Sequence, residues 1–249
     1  MALTAAQLIS LACQDAKGPG FTSQAGQFLN MILGDLCQQF DFEVARKTYE
    51  FTLTAGTTIT LSNGVLVYGG PYPLPSDFLR VAGANALIWF NQGVPYSMIP
   101  LDMDEFDRTV QQAGMQSYPY WYAIDLSLGD ETADGDSVPN LFVYPPPSGA
   151  YPAQLRYFAQ MPDIATPETS STVPWFPNQA YLRKRIAAEL MGITDDERQA
   201  QWLGQADALL QGYLKLKDNQ SSRAQTVSLD RRRFTRPFSA LKNTKTIGW

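Results

Sequence analysis

The groups that could do chemistry in this chain are carboxylates, arginines and two thiols, because its 249 residues include no histidine. That absence removes Ser-His-Asp and Cys-His nucleophilic sites, and histidine metal centres, at once. The carboxylates gather in two places. Asp102, Asp104, Glu105 and Asp107 contain the residue types that a glycoside hydrolase pairs as acid and base. That chemistry needs one carboxyl desolvated against apolar walls. A run of acids opening a helix instead complements the helix dipole, which is the role expected here. The second group, Asp130, Glu131, Asp134 and Asp136, has the composition of a calcium loop but not its D-x-D-x-D-G order, and position 141 is Leu where the closing Glu belongs. A solvated hairpin tip is expected. Cys13 and Cys37 sit in apolar helical patterns at a spacing that fits neither a metal motif nor a disulfide scaffold, so they read as a reduced, buried pair. Gly64, Gly69 and Gly70 form no phosphate loop and serve turns. No enzyme class, cofactor or metal is indicated.

The arginines are more suggestive. From Asn219 to Trp249 there are seven basic residues (Arg223, Arg231, Arg232, Arg233, Arg236, Lys242 and Lys245) against Asp230 alone, a charge of +6. Residues 1–218 carry 12 basic and 23 acidic side chains, or −11. Such asymmetry marks an interaction arm. The arm's apolar residues, among them Phe234, Phe238 and Trp249, lack a sustained period, so they build no core alone and should order on a partner. Arg231, Arg232, Arg233 and Arg236 could grip nucleic-acid phosphates while the rings stack on bases. They could equally pair with carboxylates of a protein while the rings fill apolar pockets. The acidic remainder would repel a duplex held close, which favours the protein partner.

The elements that must position these groups can be read in order. Thr4-Ala5-Ala6-Gln7 is a capping box opening a short helix with Leu8, Ile9, Leu11 and Ala12. A second helix starts near Thr22 or Ser23 and carries Phe28, Leu29, Ile32, Leu33, Leu36 and Phe40, with Gly26 and Gly34 marking close helix approach. From Tyr49 the period falls to two, and Phe51, Leu53, Ile59 and Leu61 alternate with polar residues. Tyr72 to Phe78 reads as a proline-fixed loop. Strands are expected over Phe78 to Ala82, Leu87 to Phe90, Tyr96 to Leu101, Tyr120 to Leu126, Leu141 to Tyr144 and Ala153 to Phe158, with a short helix at Asp102 to Gln112. After Pro177 and Asn178, Ala180, Leu182, Ile186, Ala187, Leu190 and Met191 recur at helical spacing until Gly192. Thr194-Asp195-Asp196-Glu197 reads as a capping box for a last helix with Trp202, Ala206, Leu209, Tyr213 and Leu216 on one stripe. The last two helices should form an antiparallel hairpin.

The expected fold class is α+β: a helical layer from the N- and C-terminal helices, a β-rich insertion, and an extended C-terminal arm. The expected domains are residues 1–48 plus 174–218, residues 49–173, and residues 219–249. No run approaches the 18 apolar residues of a membrane span, and the Met-Ala-Leu-Thr start has no secretory character.

The Y-P-L-P-S-D-F-L-R-V stretch (72–81), the L-R-Y-F-A-Q-M-P strand (155–162) and the alanine-rich helix after a short proline-containing loop together resemble the head-to-tail adaptor proteins of tailed bacteriophages. The resemblance covers most of the chain. It implies a structural virion protein, assembled in the host cytoplasm, that forms a ring, usually of twelve copies, beneath the portal and extends the DNA channel. Its implied partners are the portal protein, a tail or nozzle protein and copies of itself, with DNA passing through the lumen without sequence-specific binding and no membrane involved. The helical layer would make subunit and portal contacts and the β-rich insert would face the tail. A portal-binding arm, a theme of that family, would here comprise Arg231, Arg232, Arg233, Phe234, Arg236, Phe238 and Trp249. The competing classes are a nucleic-acid-binding protein that uses the basic tail and a phage cell-wall hydrolase, for which no carboxylate pair stands out.

Overall fold

In a computed structural model, residues 2–55, 59–61, 64–66, 69–110, 116–126 and 139–220 are described. Among them are five α-helices: α1 (Ala5–Asp15), α2 (Thr22–Gln39), α3 (Met103–Val110), α4 (Gln179–Ile193) and α5 (Gln199–Gln220). The strands are β1 (Arg46–Leu53), β2 (Ile59–Leu61), β3 (Gly64–Leu66), β4 (Gly69–Pro73), β5 (Phe78–Val81), β6 (Leu87–Asn91), β7 (Val94–Ser97), β8 (Ile99–Pro100), β9 (Trp121–Asp125), β10 (Asn140–Tyr144) and β11 (Tyr151–Ala159). The fold class is α+β, as the sequence implies.

The capping box at α1 forms: Thr4 Oγ1 accepts from the Gln7 amide at 3.3 Å and Gln7 Oε1 accepts from the Thr4 amide at 3.1 Å. Two orphan donors of the helix end are thereby satisfied. The periodic faces of α1, α2 and α4 meet in one core, with Leu8, Leu29, Leu182, Ile186 and Met191 fully enclosed. Each such side chain contributes about 1.5–3 kcal/mol by leaving water. Helix α4 is the hub, packing on α1, α2 and α5. Helix α5 runs antiparallel to it, since Asn178 Nδ2 donates to the Leu209 carbonyl near one end while Lys184 Nζ donates to Gln205 nearer the other. Between the helices and the last strand, the segment after β11 lies on the helical core: Ile164 is buried there, and the Ala5 amide donates to the Thr172 carbonyl at 2.8 Å.

Three local expectations are corrected. Helix α4 runs through Gly192 to Ile193, and the glycine there makes room for Gln199 rather than ending the helix; a Cβ would meet Gln199 Nε2 at 2.5 Å. Thr194 does not cap α5. It closes α4, donating its hydroxyl to the Met191 carbonyl, and the chain turns through Asp195 at φ +50°. Asp196 takes over at the start of α5, accepting from the Arg198 amide at 3.0 Å. Gly26 faces a loop rather than a helix, with Pro167 Cγ 2.8 Å from where its Cβ would stand.

The β-structure forms two layers. One sheet has the order β1-β11-β6-β7, with β5 also paired to β11. The other is β4-β10-β9-β8, and β2 and β3 form a separate hairpin. The expected loop of Tyr72 to Phe78 is corrected at its start, since Tyr72 and Pro73 belong to the strand Gly69–Pro73: antiparallel pairing with β10 holds it despite two glycines and two prolines. Side chains of both sheets share a second core of Leu53, Tyr72, Trp89, Tyr122, Leu141 and Leu155. Helix α3 buries Phe106 and Val110 on β9 and β10 in a third, smaller cluster.

Candidate interaction surface

The arm residues Arg231, Arg232, Arg233, Phe234, Arg236, Phe238 and Trp249 lie outside the described residues, as does the loop of Asp130 to Asp136. Asp104 and Glu105 stand in the first turn of α3, and they and Asp102 and Asp107 are exposed. That exposure supplies none of the apolar burial that prepares a general acid. Among the described residues, no three His, Cys, Asp or Glu side chains converge as metal ligands, and no helix is long and apolar enough to cross a membrane. Cys13 and Cys37 are free and buried, and burial pushes both thiols above their ordinary range, so neither is a poised nucleophile.

The most distinctive surface is aromatic. Strands β6 and β7 form a hairpin whose two turn residues, Gln92 and Gly93, have φ of +50° and +84°. Both positions being left-handed suits the native strand twist. The turn sets Tyr96 opposite Trp89, and the rings stack with centroids 4.7 Å apart. Tyr118 stacks on Trp89 at 5.4 Å and Tyr151 tilts against it at 4.8 Å. Asn91 Nδ2 donates to the Tyr118 hydroxyl, and Tyr151 exchanges a hydrogen bond of 3.0 Å with Ser148. Trp89 is thus the buried floor of a ring cluster whose outer members reach solvent. Val94, Tyr96, Ile99, Tyr118 and Tyr120 are between 44% and 57% exposed and lie on or next to β7 and β8. The Ile99 amide, donating to the Tyr120 carbonyl at 2.9 Å, holds two of them side by side. An exposed patch of large apolar and tyrosine side chains on a rigid sheet is the composition of a protein–protein contact.

The edge strand beneath this patch is closed to further strand pairing at Pro95. The Met98 amide donates to Leu87, which makes Leu87–Met98, and by alternation Trp89–Tyr96, the hydrogen-bonded pairs. Pro95 and Ser97 then point their backbone groups outward, and Pro95 has no N–H to offer. Proline at that position blocks ladder extension, a known defence of edge strands. Sequence reasoning placed Tyr96, Tyr118 and Tyr120 in or near strands but had no signal that they gather around Trp89.

Two polar ties brace the fold, one across β1 and β11 of the first sheet and one between α1 and α4. Asp77 accepts from Lys47 Nζ at 2.5 Å and from the Tyr157 hydroxyl at 2.9 Å. Burial alone would raise the Asp77 carboxyl, but these two donors outweigh it and hold the group below its ordinary value. Tyr157 is pushed up to about 12 by burial and by the Asp77 charge it faces. Arg183 on α4 grips Asp15 at the end of α1 with Nε and Nη2 at 2.6 and 2.7 Å, a bidentate pair.

No curated protein matches the sequence. The family model described as SU10 adaptor protein matches residues 3–233. With nearly the whole chain covered, the protein belongs to the SU10 adaptor protein family: it is a phage adaptor, a structural component of the virion that contacts other head and tail proteins.

Proposed function

We propose that the chain forms a ring, of twelve copies by family resemblance, that joins the portal to the tail and extends the DNA channel. In this reading residues 1–48 with 174–218 make the subunit and portal contacts, residues 49–173 face the tail, and residues 219–249 form an arm. The arm docks on the portal through Arg231, Arg232, Arg233, Phe234, Arg236, Phe238 and Trp249. The observation that carries the reading is the aromatic face around Trp89. Its floor, Trp89, is part of the core between the sheets, separate from the helical core, which supports reading this face as the one for a tail partner, apart from the helices that would meet the portal. The charge of −11 on residues 1–218 suits a channel wall, since phosphate contacts are what make DNA adhere.

The test is the mass of the purified protein alone and mixed with its portal, compared with a variant carrying Arg231→Glu, Arg232→Glu and Arg233→Glu. Joining the portal as a ring, with loss of joining in the variant, is the expected result. Failure of the wild-type chain to join, together with salt-dependent DNA binding that the variant loses, would replace the adaptor ring with the nucleic-acid reading.

A further inference from the structure

Helix α2 presents a surface that nothing among the described residues covers. Asn30 makes a two-way bond to the chain after β11: its Nδ2 donates to the Ile164 carbonyl and its Oδ1 accepts from the Ile164 amide, both at 3.1 Å. That clamp sets Asp163 beside the helix and opens a groove of about 470 Å³ lined by Asn30, Met31, Gly34, Asp35 and Asp163. Met31 is 52% exposed in it. A Cβ at Gly34 would meet nothing nearer than Gln160 Nε2 at 3.8 Å, so the glycine leaves a notch. Asp35 and Asp163 are exposed, and neither forms an ion pair among the described residues.

We infer that in the free protein this groove seats the chain's own C-terminal arm, with the Arg231–Arg233 run against Asp35 and Asp163 and Phe234 over Met31. Charge supports it: an arm of +6 is tethered to a body of −11. The chemistry matches as well, since an arginine fork pairs with a carboxylate in two bonds and a phenyl ring covers a thioether. Reach is available, because the 11 residues from Gln220 to Arg231 extend as far as about 36 Å, comparable to the full length of α5 at about 33 Å. Tethering supplies an effective concentration on the order of millimolar, so contacts individually weak in water suffice to close the arm onto the body. The exposed acids of α3 are a poorer seat, because no exposed large apolar side chain lies among them. The inference goes beyond the portal reading and needs no partner. Its consequence is that the basic arm is held away from nucleic acid until a stronger carboxylate surface displaces it.

The experiment uses the full chain without portal. Trypsin releases C-terminal peptides by cutting after Arg231, Arg232 and Arg233, and the release rate is compared with that of Asp35→Lys/Asp163→Lys, whose exposed positions leave the core untouched. Release several-fold faster from the variant is expected. In an Arg232→Lys variant, a carbodiimide cross-link from position 232 to Asp35 or Asp163 within monomers, lost in high salt, is expected. Equal release rates overturn the proposal, as do cross-links confined to other carboxylates such as Asp104 and Glu105, or found only between molecules. Because no portal is present, either result leaves the portal reading to its own test.

Discussion

Arg80 on β5 closes the C-terminal end of α2 by gripping Asp41, 39 residues away in sequence, with Nε at 2.9 Å and Nη2 at 2.8 Å from the same carboxylate oxygen. Its remaining donors reach the Gln38 carbonyl at 2.9 Å and the Phe40 carbonyl at 3.0 Å, and the guanidinium lies over the Phe158 ring. One side chain therefore satisfies orphan carbonyls at the helix end and ties the helical core to the sheet. Arg80→Ala is expected to lower stability by about 1–3 kcal/mol, the scale of charge-assisted hydrogen bonds lost together. Arg80→Lys should recover only part, since an ammonium lacks the fork. Urea unfolding of the three proteins checks both statements.

The Asp77 carboxylate links Lys47 on β1 and Tyr157 on β11. Its folded-state pKa is lowered from 3.8, so its contribution to stability is present above that value and is lost as pH falls through the lower folded value. Asp77→Asn should be less stable than wild type at neutral pH. The gap should narrow steadily in acid unfolding experiments below the ordinary carboxylate range. A gap unchanged down to strongly acidic pH would show that the charge is not what Asp77 contributes.

Tyr122 is fully enclosed between the sheets, and its hydroxyl finds no partner in the described structure. Burial pushes its pKa up to about 12. Removing a desolvated hydroxyl while keeping the ring should leave Tyr122→Phe as stable as wild type or stabler by about 1 kcal/mol. Thermal unfolding decides it, and a clear loss would mean that a partner such as a buried water is being forfeited.

The aromatic face offers a functional counterpart. Ile99→Ser with Tyr120→Ser removes exposed apolar area without entering the core, so stability should change by no more than about 0.5 kcal/mol per site. Association with the tail partner should weaken while association with the portal is retained. Loss of both, with a normal unfolding curve, would count against assigning this face to the tail.

The sequence by itself determined which segments become helices, because the spacing of Leu8 and Ile9, of Leu29, Ile32 and Leu33, and of Leu182, Ile186 and Leu190 is a local property that any folded context must bury. It also determined the α1 cap, the two buried thiols, the lack of histidine chemistry and the contrast between an acidic body and a basic arm. Tertiary structure decided everything that depends on residues distant in the chain. The same Thr-x-x-[Glu/Gln] pattern caps α1 at Thr4 but not α5 at Thr194, because the tight link to α4 draws Thr194 back onto Met191. Pairing with β10 makes Gly69–Pro73 a strand although its own residues resist extension. The two-way Asn30 bond, the Arg80 tie and the assembly of Tyr96, Tyr118 and Tyr151 around Trp89 join separate segments. Polar and aromatic contacts of that kind carry no periodic signature, so only the folded chain brings their partners into reach.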